Sequence, residues 1–201
     1  MSKGGKTRQR IVAEAASLFN QRGFDGGSMA DLMEATGLEK GGIYRHFSTK
    51  EELAAEAFDY AWQAATDVGM HGLDSIPNSV DKLKRFISNF IDRRPSVPGG
   101  CPLLNTAIDA DDGNSILRER ARKALHQWQH LLSEIVRTGI KRKEIRNRAD
   151  PKKLVTLIVG SLEGALMISR LERDREALLE TRSHLERYLD SEVRLRPRAR
   201  N

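Results

Sequence analysis

Apolar residues recur every three or four positions along most of the chain, which is the spacing of amphipathic helices. The first such segment predicts a helix over about 7–22, with Ile11, Ala15, Leu18 and Phe19 on one face. No segment alternates apolar and polar residues for long enough to predict a strand. The pattern therefore predicts an all-α protein of about nine helices.

Signals for helix starts and ends follow in close succession after this first helix. Ser28 with Asp31, and Ser48 with Glu51, have the spacing of an N-cap whose third helical residue bonds back to the cap. Gly37 predicts the end of a short helix between them, because glycine adopts the left-handed conformation without penalty. We therefore expect two short helices joined by a tight turn and followed by a longer third helix.

The second short helix separates apolar from polar positions. Ile43 and Phe47 form its predicted buried side. The positions left facing outward are Lys40, Gly41, Gly42, Tyr44, Arg45 and His46. Small residues at the start of a helix, with phosphate-seeking side chains outward, suit docking in a major groove. The alternative is a helical hairpin with an ordinary charged face.

This segment resembles the TetR family of bacterial transcriptional repressors. The matching residues are Gly37-Leu38, the run 40–47 and the run 50–53, with the preceding helix closed by Gly23-Phe24. The match covers about the first quarter of the chain. It implies a helix-turn-helix DNA-binding head at 1–52 and a larger helical bundle at 53–193 that binds an effector and dimerises. The basic residues 194–201 are expected to be a disordered tail.

The resemblance also implies roles for residues of the head. Base edges would be met by Arg45 and by the residues that open the helix, which are Lys40, Gly41 and Gly42. Phosphates would be contacted by Ser28, Tyr44, His46 and Lys50. Hydroxyl, ammonium and backbone N–H groups are suited to phosphate oxygens, so the chemistry agrees with the assignment.

Glu39 departs from the family pattern, which more often has a small hydroxyl residue at this position. Its carboxylate would either cap the helix or accept a hydrogen bond from a cytosine amine. A carboxylate without a partner near phosphates is unfavourable, so this residue is expected to influence the choice of operator.

The last two predicted helices carry more apolar residues than a helix needs to pack one side against its own chain. Small residues among them would let a second helix approach closely, and the family resemblance implies a four-helix interface between two subunits. The candidate interface residues are Leu157, Gly160, Ser161, Gly164, Ala165, Leu185 and Leu189. The alternative is packing of these helices within one chain.

The resemblance further implies an effector cavity among the helices that follow the head. The candidate lining residues are Phe58, Trp62, Phe86, Phe90, Cys101, Leu104, Trp128 and Met167. Core packing is the alternative for each of them. Cys101 precedes a short helix and follows two glycines, so it is either a thiol that senses electrophiles or oxidants, or a small buried residue.

Composition adds little to the DNA argument. The net charge is +6, but residues 1–52 contain eight Lys and Arg against seven Asp and Glu. No long apolar run predicts a membrane span or a signal peptide, and a single cysteine leaves the cytoplasm as the expected compartment. The arrangement of side chains, rather than bulk charge, favours DNA.

Candidate catalytic and metal sites are weak. We find no Ser-His-Asp set, phosphate loop or zinc-protease motif, so an enzyme is not expected. His126 and His130 are one helical turn apart but lack a further ligand, so neither a metal nor another cofactor is expected. The expected protein is a cytoplasmic homodimeric repressor that binds double-stranded operator DNA and is released by a small-molecule or thiol-reactive effector. A helical protein-interaction module and a helical enzyme are the rival hypotheses.

Overall fold

The computed structural model describes residues 3–92, 97–111 and 113–195. Within these ranges the protein is all-α, as predicted, and the only β-type pairing is an isolated bridge between Ile145 and Arg194. The described residues form nine α-helices: α1 Lys3–Gly26, α2 Met29–Thr36, α3 Lys40–Tyr44, α4 Lys50–Met70, α5 Ser79–Asp92, α6 Pro102–Asp109, α7 Ser115–Lys141, α8 Pro151–Glu172 and α9 Glu176–Tyr188.

Two compact units make up the chain. The first contains Met1–Thr66 and Arg94–Leu125, and the second contains Asp67–Arg93 and His126–Asn201. The first unit therefore includes α6 and the start of α7 beside the three N-terminal helices. This grouping differs from the predicted domain boundary after residue 52.

Helix α1 is longer than the pattern predicted. It covers Lys3–Gly26, whereas the pattern predicted a helix over about 7–22. Near its end Gly23 leaves the helical conformation, with φ 75° and ψ 171°. The turn that follows leads directly to Ser28, which caps α2.

The start of α4 corrects one predicted cap. Thr49, and not Ser48, is the capping residue, because its Oγ1 accepts the backbone N–H of Glu52 at 3.1 Å. The Glu52 carboxylate accepts the backbone N–H of Ser48 at 2.6 Å in return. The Ser48–Glu51 spacing lies one residue too early, since two adjacent hydroxyl residues are each followed three positions later by a glutamate.

The first unit has a core shared by α1, α2, α3 and α4. Ile11, Leu32, Ile43, Phe47 and Leu53 are all nearly inaccessible to solvent. Complete burial of side chains of this size contributes about 1.5–3 kcal/mol each. This core fixes which side of α3 faces the protein.

The second unit is built around α5, α8 and α9, with Phe86, Phe90 and Trp128 forming an aromatic cluster. The Trp128 ring centroid lies 5.8 Å from that of Phe86 and 6.1 Å from that of Phe90. Helix α8 is capped by Asp150, whose carboxylate accepts the backbone N–H groups of the second and third helical residues.

Helix α8 is long and apolar enough to cross a membrane by length and composition alone. The sequence pattern did not single it out. One side of the helix is buried within the second unit, by Leu154, Ile158 and Leu162 among others. Glu163 lies near its middle. We therefore treat α8 as a core helix with a second apolar side.

The segment after α9 is held in place as far as Leu195. A π-helical turn covers Leu189–Val193, and the backbone N–H of Leu195 donates to the Glu144 carbonyl at 2.8 Å. The Arg194 guanidinium forms ion pairs with Asp81 and Asp190. The expected disordered tail is therefore wrong at its first residue, and residues 196–201 lie outside the described ranges.

Replacing Arg194 with alanine tests this attachment. We expect the free energy of unfolding to fall by about 1 kcal/mol at pH 7, because half-exposed ion pairs contribute roughly 0.2–1 kcal/mol each. Lys84 and Arg194 hold the pKa of Asp190 below its ordinary value, so this stabilisation is present above the unfolded-state pKa and is lost as the pH falls through the folded-state pKa.

Urea denaturation of the wild type and R194A, at pH 7 and stepwise toward pH 3, measures this difference. It should shrink as the pH falls. R137A, which removes only the pair with Glu134 in the same helix, should lose about 0.2–0.5 kcal/mol. Equal stability of R194A and the wild type at pH 7 would contradict the interpretation.

Candidate nucleic-acid interface

The turn between α2 and α3 is defined by backbone bonds at both of its ends. Ser28 Oγ accepts the backbone N–H of Asp31 at 3.1 Å, and the Asp31 carboxylate accepts the backbone N–H of Ser28 at 2.9 Å. This reciprocal pair is the predicted capping box. Gly37 ends α2 in the left-handed conformation, at φ 63° and ψ 25°, also as predicted. The chain then turns through Leu38 into α3.

The outward side of α3 is a ridge of polar and small residues. Ile43 is buried on the opposite side and Phe47 follows it into the core. We call the outward residues the recognition ridge. Its exposed members are Glu39, Lys40, Gly41, Tyr44 and Arg45, and its half-buried members are Gly42 and His46. The structure therefore brings these seven predicted residues together on one accessible surface of the first unit.

Two cations of the recognition ridge, Lys40 and Arg45, are exposed to solvent. The Lys40 ammonium lies 5.9 Å from the centroid of the Tyr44 ring, one helical turn away. The Arg45 side chain is exposed at the end of α3 and has no hydrogen bond or ion pair within the described part of the chain. An unpaired guanidinium is suited to bidentate contact with a guanine edge or a phosphate.

The glycine at position 41 is not required by the fold. A Cβ atom built there would meet no atom within 4 Å, and one at Gly42 would make only ordinary contact with Leu38. Glycine inside a helix costs about 0.5–1 kcal/mol relative to alanine. Packing within the protein therefore does not explain the small size of Gly41, and close approach of a partner is the hypothesis tested below.

Ser28 is exposed, but its hydroxyl is occupied. It accepts from the Asp31 backbone and donates to the Asp31 carboxylate at 2.5 Å. Arg22 also pairs with this carboxylate, and the hydrogen bond from Ser28 is the main cause that lowers the pKa of Asp31. The hydroxyl of Ser28 thus orients α2 first, and its contact with phosphate stays a prediction.

Lys50 was predicted to contact phosphate, but its ammonium is bonded within the first unit. Its ammonium donates to the Phe24 carbonyl at 2.6 Å and lies 4.2 Å from the centroid of the Phe24 ring. The backbone N–H of Phe24 donates to the Asp109 carboxylate of α6 at 2.7 Å. Lys50 therefore fastens the turn before α2, and its ammonium is not presented freely on the recognition ridge.

Comparison with known proteins identifies this arrangement. One family model, described as bacterial regulatory proteins of the tetR family, matches residues 11–57. A second, described as a tetracyclin repressor-like C-terminal domain, matches residues 79–185. The chain belongs to the TetR family. It is a DNA-binding transcriptional regulator and not an enzyme.

Solved and curated TetR regulators support the assignment over nearly the whole chain. A TetR transcriptional regulator from Chloroflexus aurantiacus J-10-FL is 45% identical, with a TM-score of 0.92 over 98% of this chain and 100% of that chain. The repressor DhaR from Mycobacterium sp. (strain GP1) is 24% identical over 85% of this chain and 86% of its own length. The regulator CifR, solved as a cysteine mutant with 26 bp of operator DNA, has a TM-score of 0.80 at 23% identity over 89% of this chain and 94% of that chain.

The predicted effector-site residues of this TetR regulator are distributed over both units. In the second unit Phe86, Phe90 and Trp128 are buried together, whereas Met167 is 48% exposed on α8, so the expectation that it points inward is wrong. In the first unit the buried ring of Phe58 borders a narrow cavity of about 30 Å³. Cys101, Leu104 and Trp62 do not line this cavity.

Cys101 takes the position immediately before α6. It is the N-cap residue, followed by Pro102, and it is only 1% exposed. A thiol without access to solvent reacts slowly with electrophiles. The burial favours the interpretation of Cys101 as a small packed residue.

The predicted dimer-interface residues fall into two groups. Leu157, Gly160, Ser161 and Gly164 lie on the accessible side of α8, and Cβ atoms built at the two glycines would meet nothing. The prediction is wrong for Ala165, Leu185 and Leu189, because they are buried within the second unit. These three residues hold α8 and α9 to the rest of their own chain.

The exposed apolar residues that continue this surface were missed. Ile168 and Leu171 follow Leu157, Gly160 and Gly164 at steps of three or four, so all five share one side of α8. Leu171 is 74% exposed. We call these five residues the α8 stripe. The same spacing was present in the sequence, but it does not distinguish the stripe from the buried side of the same helix.

Substitution of Gly41 by alanine separates a structural from a DNA-binding role. We expect G41A to raise the free energy of unfolding by about 0.5–1 kcal/mol, since alanine is the better helix former. We also expect it to weaken operator binding about tenfold, because the added methyl group occupies the space of close approach. Urea denaturation and fluorescence anisotropy with a labelled operator measure the two effects. A stabilised variant with unchanged operator affinity would refute the close-approach interpretation.

Proposed function

We propose that this TetR regulator is a homodimeric repressor that binds a palindromic operator and leaves it when a small molecule binds. The observation that carries the proposal is the recognition ridge, an accessible surface with unpaired Arg45 beside a bare helical backbone. The solved complex of CifR with operator DNA supports a DNA partner for this fold. The operator would be met in the cytoplasm.

Within this proposal some residues of the recognition ridge contact base edges and others contact phosphates. Arg45 and Lys40 donate to base edges, with guanine as the most suitable acceptor because O6 and N7 accept together. Tyr44 and His46 donate to phosphate oxygens and set the position of α3 on the duplex. Lys50 and Ser28 contribute indirectly. Lys50 fixes the turn before α2, and Ser28 caps α2, which packs beside α3.

Dimerisation follows from the small size of the recognition element. A five-residue helix contacts few base pairs, and two heads about 34–36 Å apart would read two half-sites on one side of the duplex. The α8 stripe supplies a suitable surface, since exposed apolar residues lie on either side of two glycines that permit close helix approach. A monomeric protein would leave this apolar surface in water.

A small-molecule effector is supported by the aromatic side chains of both units. Phe58 borders a cavity of about 30 Å³ in the first unit, whose wall also carries the polar groups of Asn20, Asn105 and Asp109. A small molecule would fit there only after the helices around the cavity move apart, because small-molecule sites typically measure about 300–1,000 Å³. Apolar walls with a few polar anchors are typical of small-molecule sites. A ligand that binds one conformation more tightly shifts the population toward it, and release follows if that conformation fits DNA poorly. Modification of Cys101 would first require exposure of its buried thiol.

Selection of bound duplexes from a random pool tests DNA recognition and supplies the operator. R45A should bind the selected operator about 5- to 150-fold more weakly, the equivalent of roughly 1–3 kcal/mol, and should tolerate any base pair at one position of each half-site. Wild-type affinity should fall steeply with salt, as phosphate contacts release counterions.

R122A is the control for loss of a positive charge, because Arg122 is exposed in α7 and pairs with Glu119 of its own helix. It should retain both affinity and base preference. Recovery of no preferred sequence by the wild type would contradict the function, and a shallow salt dependence would favour a protein-interaction module.

The dimer is tested by placing charge in the α8 stripe. I168E/L171E should convert a particle of about twice 22.6 kDa into a monomer in light scattering at micromolar concentration. It should also bind the full operator at least about tenfold more weakly, because the two heads no longer bind as one linked unit. I116E, at an exposed apolar position in the first unit, should remain dimeric. A monomeric wild type would overturn the proposal.

A further inference from the structure

Glu39 occupies a capping position without acting as a cap. It is the N-cap residue of α3, with φ −66° and ψ 155°, and its backbone carbonyl accepts from Gly42 at 2.8 Å, yet its side chain makes no capping hydrogen bond. The caps of α2, α4 and α8, by contrast, all bond through their side chains. Of the two predicted roles for Glu39, the capping role is therefore wrong.

No neighbouring group within the described ranges neutralises the Glu39 carboxylate. Lys40 is adjacent in sequence but its ammonium lies toward the Tyr44 ring, and the two residues form no ion pair. Gly42, three residues later on the same side of the helix, has no side chain to offer. The carboxylate is thus exposed on the recognition ridge with no protein partner.

An unpaired carboxylate on this surface opposes DNA binding. It would approach the phosphates of the duplex as a like charge, and it would lose hydration as α3 entered the groove. Retention of high affinity therefore requires a donor on the DNA that compensates for both effects. On a duplex, such donors in the major groove are the amino groups of cytosine and adenine.

The two amino groups are not equivalent for a carboxylate. Adenine presents N7, an acceptor, directly beside its N6 amine, so a second carboxylate oxygen would meet a lone pair. Cytosine presents its N4 amine without an acceptor of its own on that edge, whereas guanine and thymine offer only acceptors from the base. A carboxylate held at the start of α3 therefore selects cytosine.

We infer that Glu39 is a specificity-determining residue that accepts a hydrogen bond from the N4 amine of a cytosine in each operator half-site. The inference rests on the proposed function, since it requires that the recognition ridge enter the major groove. The bare backbone at Gly41 supports it, because no side chain there holds the start of α3 away from the base edges. Specificity thus comes in part from a negative charge that excludes three bases.

The test begins with the operator selected by the wild-type protein. Each cytosine of one half-site is replaced in turn by 2-pyrimidinone, which lacks the N4 amine, and affinity is measured by fluorescence anisotropy at fixed salt. We expect one position at which wild-type affinity falls about 5- to 150-fold. At that position E39A, whose side chain has no acceptor, should be insensitive to the replacement. In a new selection E39Q should prefer adenine there, because an amide both donates and accepts and so pairs with N7 and N6.

E34Q is the matched control, since Glu34 is an exposed glutamate on α2 in the same unit. It should retain the wild-type requirement for cytosine. Three results would overturn the inference while leaving DNA binding intact. The wild-type protein could tolerate 2-pyrimidinone at every position, the selected operator could lack cytosine, or E39Q could select the same consensus as the wild type. Selection of no sequence by the wild type would instead overturn the proposed function. Because the base replacement uses the wild-type protein, the test holds even if E39Q folds poorly.

Discussion

Burial of one side of the five-residue helix α3 determines which of its residues the first unit presents to solvent. Helix α3 is too short to be stable by itself, so its orientation comes from Ile43 and from Phe47 just beyond it, both enclosed by the core of the first unit. Arg8 extends this support, because its guanidinium pairs with Glu56 and lies 4.5 Å from the centroid of the Phe47 ring. Because Ile43 and Phe47 occupy the core, the polar residues of α3 lie on the solvent side.

The sequence was most informative where a signal is local. The Ser28–Asp31 box, the Gly37 end signal and the Asp150-Pro151 start each depend on neighbours within a few positions, and all are present in the structure. The helical class and the outward side of α3 follow from periodicity, which is equally local. Family resemblance supplied the role of that side.

The sequence predictions were wrong in two situations. In one, neighbouring residues could form the same local structure; in the other, residues far away in the sequence determine a side chain's partner. Ser48 and Thr49 offer two caps one residue apart, and only the packing of the chain selects between them. Lys50 was expected at phosphates because an exposed lysine and one bonded to the distant Phe24 carbonyl look alike in sequence. Sequence spacing also fails to distinguish the two apolar sides of α8, because both have the same helical periodicity. Only the side that includes Leu162 is buried by the rest of the chain.

The peptide group of Phe24 joins three elements of the first unit at a single point. Its N–H is held by Asp109 at the end of α6 and its carbonyl by Lys50 at the start of α4. Gly23 makes this possible, because a Cβ atom there would lie 2.7 Å from the Asp109 carboxylate. Withdrawal of α6 would leave a peptide donor without its acceptor, at a cost of about 1–3 kcal/mol wherever water cannot replace it. The position of α6 is thereby linked to the turn that precedes Ser28 and, through α2, to the helix that carries the recognition ridge.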